Sequence, residues 1–159
     1  MENHPETRVL FVVNSLSILG GMEIVTLHKL NALAAKEHLR MGCAYTDRGD
    51  FPQEQIVLSP QVETFDLEIH TWQICGSLFR MAREYIKRMY RFRKSLRKLI
   101  KSWKPDIVVS VGSYEKIVIA SLRGHVGKQR FKTVREFHFA SNYRSFATNK
   151  SMGGYFSNL

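Results

Sequence analysis

The chain has 159 residues, 44% of them apolar and 24% charged, and a net charge of +10. That length suits a single domain, residues 1–159, with its own core, and the composition excludes a disordered chain. No apolar run approaches the roughly 18 residues needed to span a bilayer, and the polar start Met1-Glu2-Asn3-His4-Pro5-Glu6 lacks the order of a secretion signal. The expected location is therefore cytoplasmic. Cys43 and Cys75 are far apart with no C-x-x-C spacing, which points to reduced structural thiols.

Residues 8–13 read as a short apolar strand of the kind covered on both faces. Asn14 to Leu19 read as a loop, and Gly20-Gly21-Met22-Glu23 opens a helix over 21–36. Ile24, Leu27, Leu30 or Asn31, and Ala34 form its apolar stripe. Residues 39–45 alternate as a second strand, 46–50 as a loop. Phe65, Leu67 and Ile69 alternate with polar neighbours as a half-exposed strand near a sheet edge. A long helix runs from about Cys75 to Lys104, with Tyr85, Met89, Phe92, Leu96, Leu99 and Trp103 as its stripe. Pro105 stops it. Ile107–Val111 is a further apolar strand, Gly112-Ser113 its exit, 114–123 a helix and 133–137 a last strand leading into His138.

Alternating strands and helices predict an α/β fold, a Rossmann-like three-layer domain with a mainly parallel sheet and right-handed crossovers. Ligands of such sheets lie at the carboxyl ends of the strands. That makes loops 14–23, 46–50, 112–115 and 138–144 the candidate site. Gly20-Gly21 is either a tight turn or an anion site at a helix N-terminus. Glu23 suits the positive end of the helix dipole. The glycine pair is not a G-x-G-x-x-G fingerprint, and Gly127-Lys128-Gln129 is not a P-loop. His138 is either held by nearby backbone or placed to bond a sugar hydroxyl or move a proton. The other histidines share no ligand spacing, so no metal is expected.

The charge is local. Between Arg80 and Lys104 stand eleven lysines or arginines against one acid, Glu84, and that surplus matches the net charge of the whole chain. One reading is a solvated helix face. A second is attraction to anionic lipid through Lys87, Arg88, Arg91, Arg93, Lys94, Arg97, Lys98 and Lys101. A third is nucleic acid, ranked below lipid and not expected, because no nucleic-acid motif accompanies the charge.

The opening strand Val9–Val13, Gly20-Gly21-Met22-Glu23, the helix to Ala34-Ala35, Lys104-Pro105-Asp106-Ile107-Val108 and Glu136-Phe137-His138 form an ordered set. Over about residues 8–145 that set resembles the N-terminal, acceptor-side domain of a retaining family 4 glycosyltransferase, one half of a GT-B fold. The resemblance implies transfer of a hexosyl group from a nucleotide-diphosphate sugar to a glycan or lipid-linked glycan of the cell-surface polysaccharide type. It implies no metal or other cofactor. Gly20 and Gly21 would face the donor diphosphate and His138 the transferred sugar. Ser113, Tyr114, Glu115, Asn142 and Arg144 would lie on the acceptor side. The basic helix fits peripheral attachment at the inner membrane face. The family's donor domain, with its E-x7-E motif, is not within the 159 residues. The expectation is one domain of a longer enzyme, inactive by itself and partnered by its own C-terminal domain. The alternative is a non-catalytic α/β adaptor for a membrane or protein.

Overall fold

The computed structural model describes residues 6–15, 21–47, 58–69, 77–112 and 114–136; of Ser15, Asp47 and Tyr114 it describes the backbone alone. In chain order the elements are β1 (Thr7–Ser15), α1 (Gly21–Ala34), β2 (Leu39–Asp47), β3 (Val62–Asp66), α2 (Leu78–Trp103), β4 (Ile107–Ser110), α3 (Tyr114–Ser121), the short strands β5 (His125–Val126) and β6 (Gln129–Arg130), and β7 (Lys132–Arg135). Five strands form one sheet in the order β3-β2-β1-β4-β7, and its neighbouring pairs are all parallel. β1 is central, pairing Val9 with Met41 on one side and Ile107 on the other.

The two faces of β1 read directly from its sequence. Val9, Phe11 and Val13 meet Leu30 and Ala34 of α1, together with Met41, Cys43, Tyr45, Val109 and Val111. Leu10 and Val12 meet α2 and α3 through Phe92, Leu96, Ile100, Val118 and Ile119. Right-handed crossovers require this split. The connection from β1 to β2 moves one way along the sheet, and those through α2 and α3 move the other way.

Several expectations are corrected in detail. On α1 the buried residues are Thr26, Leu27, Leu30 and Ala34, while Ile24 is 43% exposed. At 100° per residue Ile24 lies well off the centre of that arc, and Thr26 tolerates burial because its hydroxyl donates to the Met22 carbonyl at 2.8 Å. β2 is buried on both faces rather than alternating. Its buried even positions, Gly42, Ala44 and Thr46, are small: a Cβ on Gly42 would lie 3.1 Å from Leu10 Cδ1 and from the Trp103 ring. β2 also runs to Asp47, into the expected loop. The remainder of that loop, 48–50, lies outside the described residues. β3 begins at Val62 and lies at the sheet edge, as expected.

The stripe of α2 comprises Phe92, Leu96, Ile100 and Trp103, flanked by Met89 and Leu99. Tyr85, expected in that stripe, is 41% exposed, since Leu67 and Ile69, just past β3, already meet α2 at the level of Tyr90 and Lys94. α2 ends as its sequence requires. Lys104 turns left-handed at φ 53°, its N–H donates to the Ile100 carbonyl, and Pro105 follows. The Arg8 guanidinium donates to the Trp103 carbonyl at 2.9 Å, and the Arg8 N–H to Asp106 Oδ2 at 2.9 Å. The β5–β6 hairpin was not legible as strands. Its two-residue turn puts Gly127 at φ 62°, the role glycine has at the first central position of a type II′ turn.

Candidate functional site

The sheet order reverses between β1 and β4. From β1 the chain moves outward through α1 to β2, and it returns through α2 to β4 on the opposite side. Such a reversal opens a crevice at the carboxyl ends of the two strands. Here Asn14 stands near the end of β1, Val111 and Gly112 leave β4, and the first turn of α1 comes down between them. Asn14, Met22, Glu23, Thr26, Val111 and Gly112 line a hollow of about 10 Å³, the volume of a single water. Gly21 is the first residue of α1, and a Cβ there would meet nothing within 4 Å. No neighbour among the described residues demands glycine at this position. What its missing side chain leaves is open space at a helix start, whose first N–H groups have no partner within the helix itself.

Asn14 is fixed from below. The Thr46 hydroxyl, buried at the end of β2, donates to the Asn14 backbone carbonyl, and Asn14 Oδ1 lies 3.1 Å away. The exit of β7 is fixed as well. The Glu136 N–H donates to the Ser110 carbonyl at 2.9 Å, and Lys29 of α1 donates to the Glu136 carboxylate at 2.9 Å. The segment entering His138 is thus tied to both β4 and α1.

Glu115 is the unusual group. It is fully buried in the first turn of α3, and among the described residues neither carboxyl oxygen has a hydrogen-bond partner. It packs against Gly112, where a Cβ would stand 2.4 Å from Oε2. Any side chain at the exit of β4 would thus displace the Glu115 carboxyl from its present position. Burial pushes the Glu115 carboxyl above the ordinary carboxylate range. Its own N–H and Lys116 oppose that shift, and Glu23 adds to it. A neutral carboxyl both donates and accepts. Among the described residues Ser110 Oγ is also buried without a partner.

Of the residues expected at the site, Gly21 and Glu115 stand at helix starts on this crevice, and Tyr114 begins α3. Gly20, Ser113, His138, Asn142 and Arg144 lie outside the described residues. The Lys29–Glu136 pair was missed, because nothing in the sequence links residues 107 positions apart. The expected membrane residues lie elsewhere, along α2. Lys87, Arg91, Arg93, Lys94, Arg97, Lys98 and Lys101 are exposed and Arg88 is half-buried. Lys87 donates to Glu84 at 2.9 Å. Among the described residues no helix is long and apolar enough to cross a membrane.

The thiol of Cys43 is free and buried under α1, and burial pushes its pKa up to about 12. It is a core group with no part in this crevice.

No curated protein matches the chain. The profile of Glycosyltransferase Family 4 matches residues 19–158, which takes in every element from α1 to β7. With its parallel Rossmann-like sheet and its crevice at the β1–β4 reversal, the chain belongs to glycosyltransferase family 4, as an N-terminal domain of that family.

Proposed function

We propose that this domain is the acceptor side of a retaining GT-B hexosyltransferase, which moves a hexosyl group from a nucleotide-diphosphate sugar to a glycan. The reading rests on one observation above the others. The start of α1, with open space at Gly21, faces the crevice of a chain that belongs to glycosyltransferase family 4. Unpaired N–H groups and the helix dipole favour an anion there, and Gly20-Gly21 would meet the donor diphosphate as charge builds on it. The nucleotide itself would be held mainly by a second domain. Glu115, with Ser113 and Tyr114, would line the acceptor path, and Asn142 and Arg144 would complete it. No metal or other cofactor is assigned.

His138 is proposed to contact the transferred sugar. In the enzyme that joins this domain to a donor domain, His138→Ala lowers kcat on the order of a hundredfold, the range seen when one donor to a developing charge is lost. Donor affinity, measured by calorimetry, stays close to wild type. Wild-type turnover in that variant would refute the assignment.

A further inference from the structure

The end of α3 meets α2 at a hollow of about 440 Å³ whose permanent charges are all arginine. Arg93 and Arg97, one turn apart on α2, line it from one side. Arg123 lines it from a second element, on a left-handed backbone at φ 51° just past α3, and His125 stands beside it at the start of β5. The lysines of the same stretch of α2, Lys94, Lys98 and Lys101, line the neighbouring groove beside Leu67 and Ile69. No acid stands among the described residues that line the arginine hollow.

This arrangement works against the fold. Like charges at i, i+4 repel, and a left-handed arginine is strained where glycine would not be. α3 offsets a part of it. The Arg93 guanidinium donates to the Ser121 carbonyl at 3.5 Å, at the negative end of the helix dipole. That end is equivalent to about half a unit charge, set against three guanidinium groups. The ion pairs found among the described residues, Lys29–Glu136, Arg40–Glu63 and Lys87–Glu84, involve none of the three. Guanidinium groups converging without an acid are the recognition chemistry of phosphate, which they grip through paired N–H groups. Beside them lie acceptors. The Ser121 carbonyl closes α3, and the Arg123 carbonyl lies 3.2 Å from His125 Nδ1. Each carbonyl has two lone pairs, so both suit hydroxyl donors. Among the described lining residues there is no Phe, Tyr or Trp on which a nucleobase could stack.

We propose that this hollow binds a small sugar phosphate, with its phosphate on Arg93, Arg97 and Arg123 and its hydroxyls on the carbonyls at the end of α3. A volume of about 440 Å³ lies within the range of small-molecule sites. The hollow is not part of the crevice. α3 begins at the crevice with Tyr114 and Glu115 and ends here at Ser121, about 10 Å further along its axis. A ligand held here ties α2 to the end of α3 and cannot reach the carboxyl ends of β1 and β4, so it is an effector and not a substrate. The site is independent of the function proposed above.

The test is titration calorimetry of the 159-residue chain with glucose 6-phosphate. One site is expected, with inorganic phosphate binding more weakly and glucose not at all. Losing one charge-assisted contact costs about tenfold in affinity, so Arg93→Gln, Arg97→Gln and Arg123→Gln should each weaken binding by about that factor. Arg97→Lys keeps the charge but not the paired N–H groups, so it should recover only part of the loss. Lys94→Gln combined with Lys98→Gln removes two charges from the neighbouring groove and should leave the affinity nearly unchanged. All five positions are exposed, so unchanged melting temperatures show that the variants fold. No binding at millimolar concentration, or binding that survives the arginine variants, overturns the site. So does an equal loss in the lysine double variant, which would make the attraction one of bulk charge. Inorganic phosphate as tight as glucose 6-phosphate overturns the sugar class. Tighter binding of UDP or of a short-chain phosphatidylglycerol at the same arginines overturns it as well, by giving the phosphate a different source.

Discussion

Glu115→Gln should make the domain more stable than wild type at neutral pH and leave it nearly unchanged in acid. The amide has the shape of the protonated acid, so below the ordinary carboxyl value of 4.5 the two chains differ by less than about 1.5 kcal/mol. Burial raises the folded-state pKa above that value. The native state therefore holds a proton that the unfolded chain has released. The stability due to Glu115 is fully present below the unfolded pKa and is lost as pH rises through the folded one. Over that window the gap between variant and wild type opens by at most about 1.4 kcal/mol per pH unit. In a domain of this size that is roughly 3–6 °C of melting temperature per unit, after which the gap stays constant. Thermal unfolding of both chains from about pH 4 to 8 reads the difference directly, and the contributions of other titrating groups cancel in it. A gap that does not change with pH, or one that closes as pH rises, would refute the claim that Glu115 is buried without a partner.

Two further tests concern the core. Gly42→Ala places a Cβ 3.1 Å from Leu10 and the Trp103 ring. That overpacking costs about 1–3 kcal/mol against the 0.5–1 kcal/mol gained by removing a strand glycine. The melting temperature should fall, and Gly42→Ala should cost less in a Trp103→Leu background than in wild type; a Gly42→Ala chain as stable as wild type would contradict the packing. In a Cys75→Ser background, Cys43, with its pKa near 12, presents about one thiolate in ten thousand at pH 8. It should react with a disulfide reagent only as fast as the domain unfolds, and fast labelling of the folded chain would be evidence against its burial.

Where burial is two-sided or strongly one-sided, pattern alone located the elements. Val9–Val13 and the run from Ile107 fall within a residue or two of β1 and β4, and the stripe that ends at Trp103 locates the second half of α2. Pattern failed where the partner surface decides exposure. Tyr85 has the spacing of a core residue but lies beyond the sheet, and Ile24 is as apolar as Leu27 but faces away from it. The hairpin β5–β6 is two residues per strand, too short for any periodicity to appear. At the site, the loops were legible because a parallel sheet puts its ligands at the carboxyl ends of its strands. That Glu115 lies buried against Gly112 was not, because a glutamate in the first turn of a helix ordinarily faces water.

The buried acid and the helix starts act on the same crevice, and their balance fixes its sign. Two helices, α1 and α3, begin at the β1–β4 reversal. Each start favours a nearby anion, typically by 0.3–1 kcal/mol. An ionised Glu115 would gain from both, yet it would give up its hydration with no partner among the described side chains in return, a cost of several kcal/mol. The desolvation is the larger quantity, so the carboxyl is held toward its neutral form. A neutral acid does not cancel the positive ends of the helices beside it. The positive helix ends therefore stay uncompensated beside the position proposed for a sugar diphosphate. One residue in the wrong state would spoil this: an exposed, ionised glutamate at 115 would compete with the phosphate for the same amides. Gly112 prevents that exchange by giving the carboxyl the space in which it stays buried.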